Sequence, residues 1–299
     1  MPNISLNDDI AAVKEIILKQ IFNGNQFLLS NDNSYQKIFA KTNEHIDNYF
    51  KADPLLDKKN ALSVLAGGDQ IFTLIYSGIK DISSFDINRL TYYYTLGIKR
   101  AAILKYKYEP YLDFINNLSS DKFPLDELTD LVKGLFPNME EDCVSFWQEI
   151  LEYNYEIQKR FETNINLFSM LLFQFPRFYT NPPYIKVKDA YDKCRSQLGN
   201  ANITFENTNC LDLSRKMKEK YDVILLSNIF DYFYKYWNYD WIVDKLLEFS
   251  NGLKPLLNDN GIIFLDYILL LKKSSKYIDP LIKKSDVSIE DLKKYFEVF

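Results

Sequence analysis

The stretch "NALSVLAGGDQIFTLIYSGIKDISSFDINRL", residues 60–90, decides the fold. It opens on a continuous apolar run, Ala61 to Ala66, suited to a strand buried on both faces. The chain turns at Gly67-Gly68-Asp69. A helix follows, with Ile71, Leu74 and Ile75 on one face and Gly78 at its C-terminal stop. A second short run, Asp81 to Phe85, predicts another strand, closed by Asp86. A strand–helix–strand unit of this kind pairs its strands in parallel by default.

Upstream, Ile10, Val13, Ile17 and Ile21 recur at helical spacing over residues 8–22, with Asn7 or Asp8 placed to cap the helix. A polar loop and a second helix lead to Asp53-Pro54. Downstream, Leu90, Tyr94, Gly97, Ala101 and Leu104 form one helical stripe, and Phe123–Phe136 and Cys143–Met170 also read as helix. Three strand-like runs follow: Ile203–Glu206, Tyr221–Leu226 and Gly261–Leu265, with a helix at Trp241–Phe249 between the last two. Ser288-x-x-Asp291 resembles a capping box before a last short helix. The order predicts an α/β fold, a doubly wound, mostly parallel Rossmann-like sheet. Residues 1–57 are expected as an N-terminal helical cap, and 58–299 as the ligand-binding domain, with a helical insertion at about 106–180.

Composition narrows the function classes. The 47% hydrophobic fraction over 299 residues supports a packed protein rather than a disordered chain. The formal net charge of -5 argues against a nucleic-acid partner, which needs a basic face. Cys143, Cys194 and Cys210 are widely spaced and form no C-x-x-C pair, a pattern that suits free thiols in a reducing compartment, and the sole histidine, His45, argues against a His-rich metal site or a Ser-His-Asp triad. The first residues, MPNISLNDDI, lack the blocks of a signal peptide, and the apolar run Ile262–Leu271 is too short to span a bilayer. The expectation is a cytoplasmic protein with no transmembrane segment.

In doubly wound folds, ligands sit at the carboxyl ends of the strands. The first such end carries Gly67 and Gly68, which let backbone approach a ligand, and the following helix offers N–H groups. Asp86 stands 19 residues after Gly67, at the end of the second strand, where an acid accepts both hydroxyls of a ribose. A dinucleotide site wants a third glycine, which is missing. Asp69 would repel a pyrophosphate and suits an ammonium, as in the methionine part of S-adenosylmethionine. After the third strand, Asn209 or Asp212 is placed to bond the exocyclic amine of adenine, or to serve as an ordinary loop or cap residue. After the fourth, Asn228 is placed to orient a nucleophile. Asp231 either acts as general base or caps the next helix. Tyr35, Tyr92, Tyr93 and Tyr232 could line a cation site, although core packing is the commoner role of such rings.

Asn181-Pro182-Pro183-Tyr184 matches the tetrapeptide of nucleic-acid amino-methyltransferases. There it ends a strand. Here Pro176 disfavours a central strand, and "YDVILLSN" already fills the fourth-strand position. The prolines therefore predict a turn entering a helix.

Taken together, "VLAGGDQ", "SSFDIN", "NITFENTNCLDL" and "VILLSNIFDY" resemble the class I S-adenosylmethionine-dependent transferases. More narrowly, they resemble the bacterial family related to S-adenosylmethionine:diacylglycerol 3-amino-3-carboxypropyl transferase. The resemblance covers roughly residues 34–105 and 181–267. It implies a methyltransferase-type fold and a cofactor site at Gly67, Gly68, Asp69, Asp86, Asn88 and Asn209, with the reaction edge near Asn228 and Asp231. Asn209 departs from the Asp common at that place, although an amide still accepts a hydrogen bond from adenine. The expected activity is S-adenosylmethionine-dependent group transfer, with aminocarboxypropyl transfer favoured over methylation by the resemblance alone. A non-catalytic S-adenosylmethionine-binding module is the alternative. The acceptor would be a small molecule or a lipid. The helical insertion would supply a groove or lid, or, more plainly, helix packing or a homodimer interface.

Overall fold

The computed structural model describes residues 5–23, 35, 37–42, 46, 55, 57–118, 120, 123–173, 181–227, 249 and 251–264. The chain divides into two compact units, Met1–Cys210 and Leu211–Phe299.

In the first unit, α1 spans Leu6–Asn23. Its cap lies two or three residues earlier than the sequence suggests. Asp8 N donates to Ser5 Oγ at 3.3 Å and Ser5 N donates to the Asp8 carboxylate at 2.9 Å. That is a capping box with Ser5 as N-cap and an acid in the third position. Val13 and Ile17 are fully buried on the inward stripe.

The short strand β1 (Ile38–Phe39) precedes β2 (Asn60–Val64), α2 (Asp69–Ser77) and β3 (Asp81–Asp86). Gly78 ends α2 at φ 107. Its N–H donates to Ile75 O, and the Ile79 N–H donates to Leu74 O, closing a Schellman motif that only a residue tolerant of positive φ completes cheaply. β2 and β3 pair in parallel, Asn60 with Asp81 through Val64 with Phe85.

One continuous helix then changes pitch twice. It runs as α3 (Leu90–Tyr92), a π-helical segment (Tyr93–Lys99) and α4 (Arg100–Lys105). The segment that follows holds α5 (Tyr108–Asn117), α6 (Leu125–Lys133), α7 (Glu141–Arg160) and α8 (Leu167–Leu171); the expected helix Cys143–Met170 is broken between α7 and α8, where Glu162 sits at φ 51. A two-residue strand, β4 (Leu172–Phe173), pairs in parallel with β1. The tetrapeptide read as a turn is one: a 3-10 turn at Pro183–Ile185 enters α9 (Lys188–Leu198), which packs on α2. β5 (Asn202–Asn207) pairs in parallel with β3, so β2, β3 and β5 lie side by side in the order β5-β3-β2.

In the second unit, α10 (Leu213–Lys216) precedes β6 (Tyr221–Leu225) and β7 (Leu257–Phe264). These two strands are also parallel, with a register shift between Tyr221 and Val223. Among the described residues every strand pair is parallel, and the chain is an α/β protein consistent with a Rossmann-like fold. Of the expected helix at Trp241–Phe249, Phe249 is helical and buried, and positions 241–248 lie outside the described residues. The expected Ser288–Asp291 cap lies outside them too. Among the described residues, no helix is long and apolar enough to cross a membrane. The three cysteines are buried and free.

Candidate functional site

Asp86, the last residue of β3, ties together the carboxyl ends of β2, β3 and β5. One carboxylate oxygen accepts the Ala66 N–H, just past β2, at 3.0 Å, and the other accepts the Asn88 N–H at 2.9 Å. Its backbone carbonyl accepts the Asn207 side-chain amide at 2.9 Å and the Thr208 N–H at 3.1 Å, from the end of β5. Burial pushes the carboxyl up to about 6, and the N–H bonds from Asn88 and Ala66 oppose that rise. The residue is partly buried, and the Thr91 side chain and the Ile87 N–H act on the same carboxyl, also opposing the rise.

Asn88, implied as a cofactor residue, serves the helix start in the structure. It is buried, and its side-chain oxygen accepts the Leu90 N–H at 3.2 Å. Asp86 and Asn88 thus form successive Asx turns that carry the chain from strand to helix.

The Gly67-Gly68 turn is held from one side. Ala66 sits at φ 40 and Gly68 at φ 84. Thr95 Oγ1 donates to Ala66 O at 2.9 Å, and Lys99 Nζ donates to Gly67 O at 2.6 Å. Both donors come from the π segment. A Cβ on Gly67 would lie 2.4 Å from the Phe39 carbonyl oxygen, so the glycine is required by the close approach of β1. Gly68 N–H closes the turn onto Leu65 O at 2.8 Å. The Gly67 N–H finds no acceptor among the described residues, although the residue is buried. Such a group calls for an explanation, a ligand or water being the usual ones.

Asp69 is fully buried, and the ammonium it meets is that of Lys99, at 2.7 Å. Tyr184 OH donates to the same oxygen at 2.8 Å, and Thr42 N–H donates to the other at 2.5 Å. Lys99 has three acceptors, Asp69, Gly67 O and Ala40 O, matching the three N–H donors of its charged form. Burial nonetheless lowers its pKa, and the facing carboxylate of Asp69 counters this.

Asn209 is half-buried beside this edge, where its side-chain oxygen accepts the Cys210 thiol at 3.3 Å. Asp212 belongs to the second unit and pairs with Arg215 at 3.0 Å. Asn228, Asp231 and Tyr232, the expected reaction residues, lie outside the described residues. The residue just before them, Ser227, ends the β6 segment at φ 57, a conformation that an L residue holds only under local constraint.

A second cluster went unforeseen. Asp9 of α1 is fully buried and accepts Arg89 Nε and Nη2, both at 2.5 Å, with Tyr93 OH at 2.6 Å and Tyr35 OH. Tyr35 and Tyr93 are therefore packed in the interior, and Tyr93 stacks on Phe146 with centroids 3.7 Å apart. Tyr92 instead stacks on Phe205 and lines a cleft of about 1040 Å³ beside β5, with Arg89 and Asn207. Asp9 and Arg89 stand 80 positions apart, so spacing gave no sign of their pairing. No protein-family model and no curated protein sequence matches the chain.

Proposed function

We propose that the chain is an S-adenosylmethionine-dependent group transferase whose nucleoside cofactor is held at the carboxyl ends of β2, β3 and β5. The observation that carries this reading is the Gly67 N–H, which has no acceptor among the described residues and lies on the turn that Asp86, partly buried at the end of β3, ties down through Ala66. The strand order β5-β3-β2 supports it, since it is the third-second-first order of a mononucleotide-binding half.

The residues fit the group in part. Asp86 would take the ribose hydroxyls, and Asn209 would lie toward the adenine. Asp69 is committed to Lys99, Tyr184 and Thr42, so its part is to hold the turn rather than to meet the methionine ammonium. When bound, the cofactor supplies a sulfonium already activated toward nucleophiles. The protein's share is then alignment and exclusion of water. Asn228 and Asp231 enter the proposal from the sequence alone, as the orienting residue and the general base.

Transfer of the 3-amino-3-carboxypropyl group is favoured over methyl transfer on sequence resemblance. Identifying the by-product of turnover separates them. Incubation with S-adenosylmethionine and a panel of small amines and lipids should release methylthioadenosine. Release of S-adenosylhomocysteine would make the enzyme a methyltransferase. Binding without release of either product would make it a sensor or partner subunit.

A further inference from the structure

The π segment Tyr93–Lys99 brings its polar side chains to one backbone turn. Thr95 holds the carbonyl of Ala66 and Lys99 holds the carbonyl of Gly67. The peptide bonds here are trans, so each held carbonyl turns its partner N–H to the opposite side. For the second peptide, the Gly68 N–H is used internally on Leu65 O. For the first, the Gly67 N–H is left aimed away from Thr95, with no acceptor among the described residues. π segments are rare, and they recur at functional sites because they re-aim side chains that a regular helix would point elsewhere.

Behind Lys99 stands Tyr184, the last residue of the proline-rich tetrapeptide. Tyr184 OH donates to Asp69 at 2.8 Å, and Tyr111 OH lies 3.1 Å from Tyr184 OH. Asp69, Lys99, Tyr111 and Tyr184 are all fully buried. A hydrogen-bonded ionic cluster in the interior is costly to assemble and tolerates little displacement. It therefore suits a device that fixes geometry.

We propose that Thr95 and Lys99, locked by Asp69 and Tyr184, are positioning residues that orient the Gly67 peptide so that its N–H meets the cofactor. The inference rests on the cofactor reading above and adds residues to it. None of the four need touch the ligand: they act through the turn.

The test uses Thr95→Val, Thr95→Ser and Tyr184→Phe in the full chain, with S-adenosylhomocysteine as the probe. Affinity, the unfolding midpoint and the Gly67 amide resonance are measured together. Thr95→Val should weaken binding roughly three- to tenfold, the size of one net hydrogen bond, and shift the Gly67 amide resonance. Thr95→Ser, which restores the hydroxyl, should recover both. Tyr184→Phe should move both in the same direction as Thr95→Val, by less. A lowered midpoint with unchanged affinity in Thr95→Val and Tyr184→Phe would reduce the network to a structural role and overturn the inference alone. Failure of the unaltered protein to bind the probe would overturn the cofactor reading, and the inference with it.

Discussion

Asp86 and Ala66 are joined by a 3.0 Å hydrogen bond, in which the Ala66 backbone N–H donates to the Asp86 carboxylate. This bond links the end of β3 to a residue held at φ 40, just past the end of β2. It fixes a turn that the chain would not otherwise favour.

That placement gives Asp86 two opposite pH signatures. Its carboxyl is raised from 3.8 to about 6, so the folded state holds the proton more tightly than the unfolded chain. The stability it contributes is full below the unfolded value and is lost as pH rises through about 6. Ligand hydroxyls want the ionised form, so S-adenosylhomocysteine affinity should fall as pH drops below that value. Asp86→Asn should flatten both profiles. Denaturant melts and titrations of the two proteins from about pH 3.5 to about pH 7, a window that spans both the unfolded and the raised value, check this. Parallel profiles would count against it.

The glycines of the turn answer to packing. Gly67→Ala places a Cβ against the Phe39 carbonyl, and Gly68→Ala adds strain at φ 84 besides contact with Thr95 and Phe72. Each should destabilise by about 1–3 kcal/mol, the range for forced overpacking. Gly199→Ala is the control: nothing lies within 4 Å of its added Cβ and its φ is -63. It should be neutral or slightly stabilising. Urea unfolding of the three variants separates them.

Arg89→Leu should destabilise by about 3–5 kcal/mol, because it strands the buried Asp9 carboxylate with only the two tyrosine hydroxyls. Replacing Asp9 by Leu as well should recover much of the loss. A double-mutant cycle by thermal unfolding measures the recovery, and simple additivity would argue against a coupled pair.

The three buried thiols should be inert in the native protein. Burial pushes Cys143 and Cys194 well above the ordinary thiol range, which suppresses the reactive thiolate. A chromogenic disulfide reagent should register none of them before unfolding and all three after it. Fast reaction of any one in the native state would contradict that burial.

The parallel unit at residues 60–90 was legible because an unbroken apolar run, a glycine turn and a second run leave one economical pairing. The tetrapeptide was legible as a turn because Pro183 fits the first positions of a helical turn and little else. The helix that follows Asp86 was legible only in part. The stripe Leu90, Tyr94, Gly97, Ala101 is buried as expected, but Leu104 is half-buried while Ile103 is fully buried. The π segment takes more residues per turn than an α-helix, so the inward face slips by one beyond it. The same slip brings Lys99 inward to Gly67 and Asp69. Nothing in a helical period of about 3.6 residues announces that. Sequence alone points Asp69 at a ligand because its true partners, Lys99 and Tyr184, come from elements 30 and 115 positions away.

The most direct test of the cofactor reading is a calorimetric titration of S-adenosylhomocysteine into the unaltered protein and into Asp86→Ala, with NAD as the competing nucleotide. The expected result is saturable binding of the thioether, its loss in Asp86→Ala, and no binding of NAD. Binding that survives the substitution would move the site away from Asp86, and no binding at all would contradict the proposal that this parallel sheet holds an adenosyl cofactor.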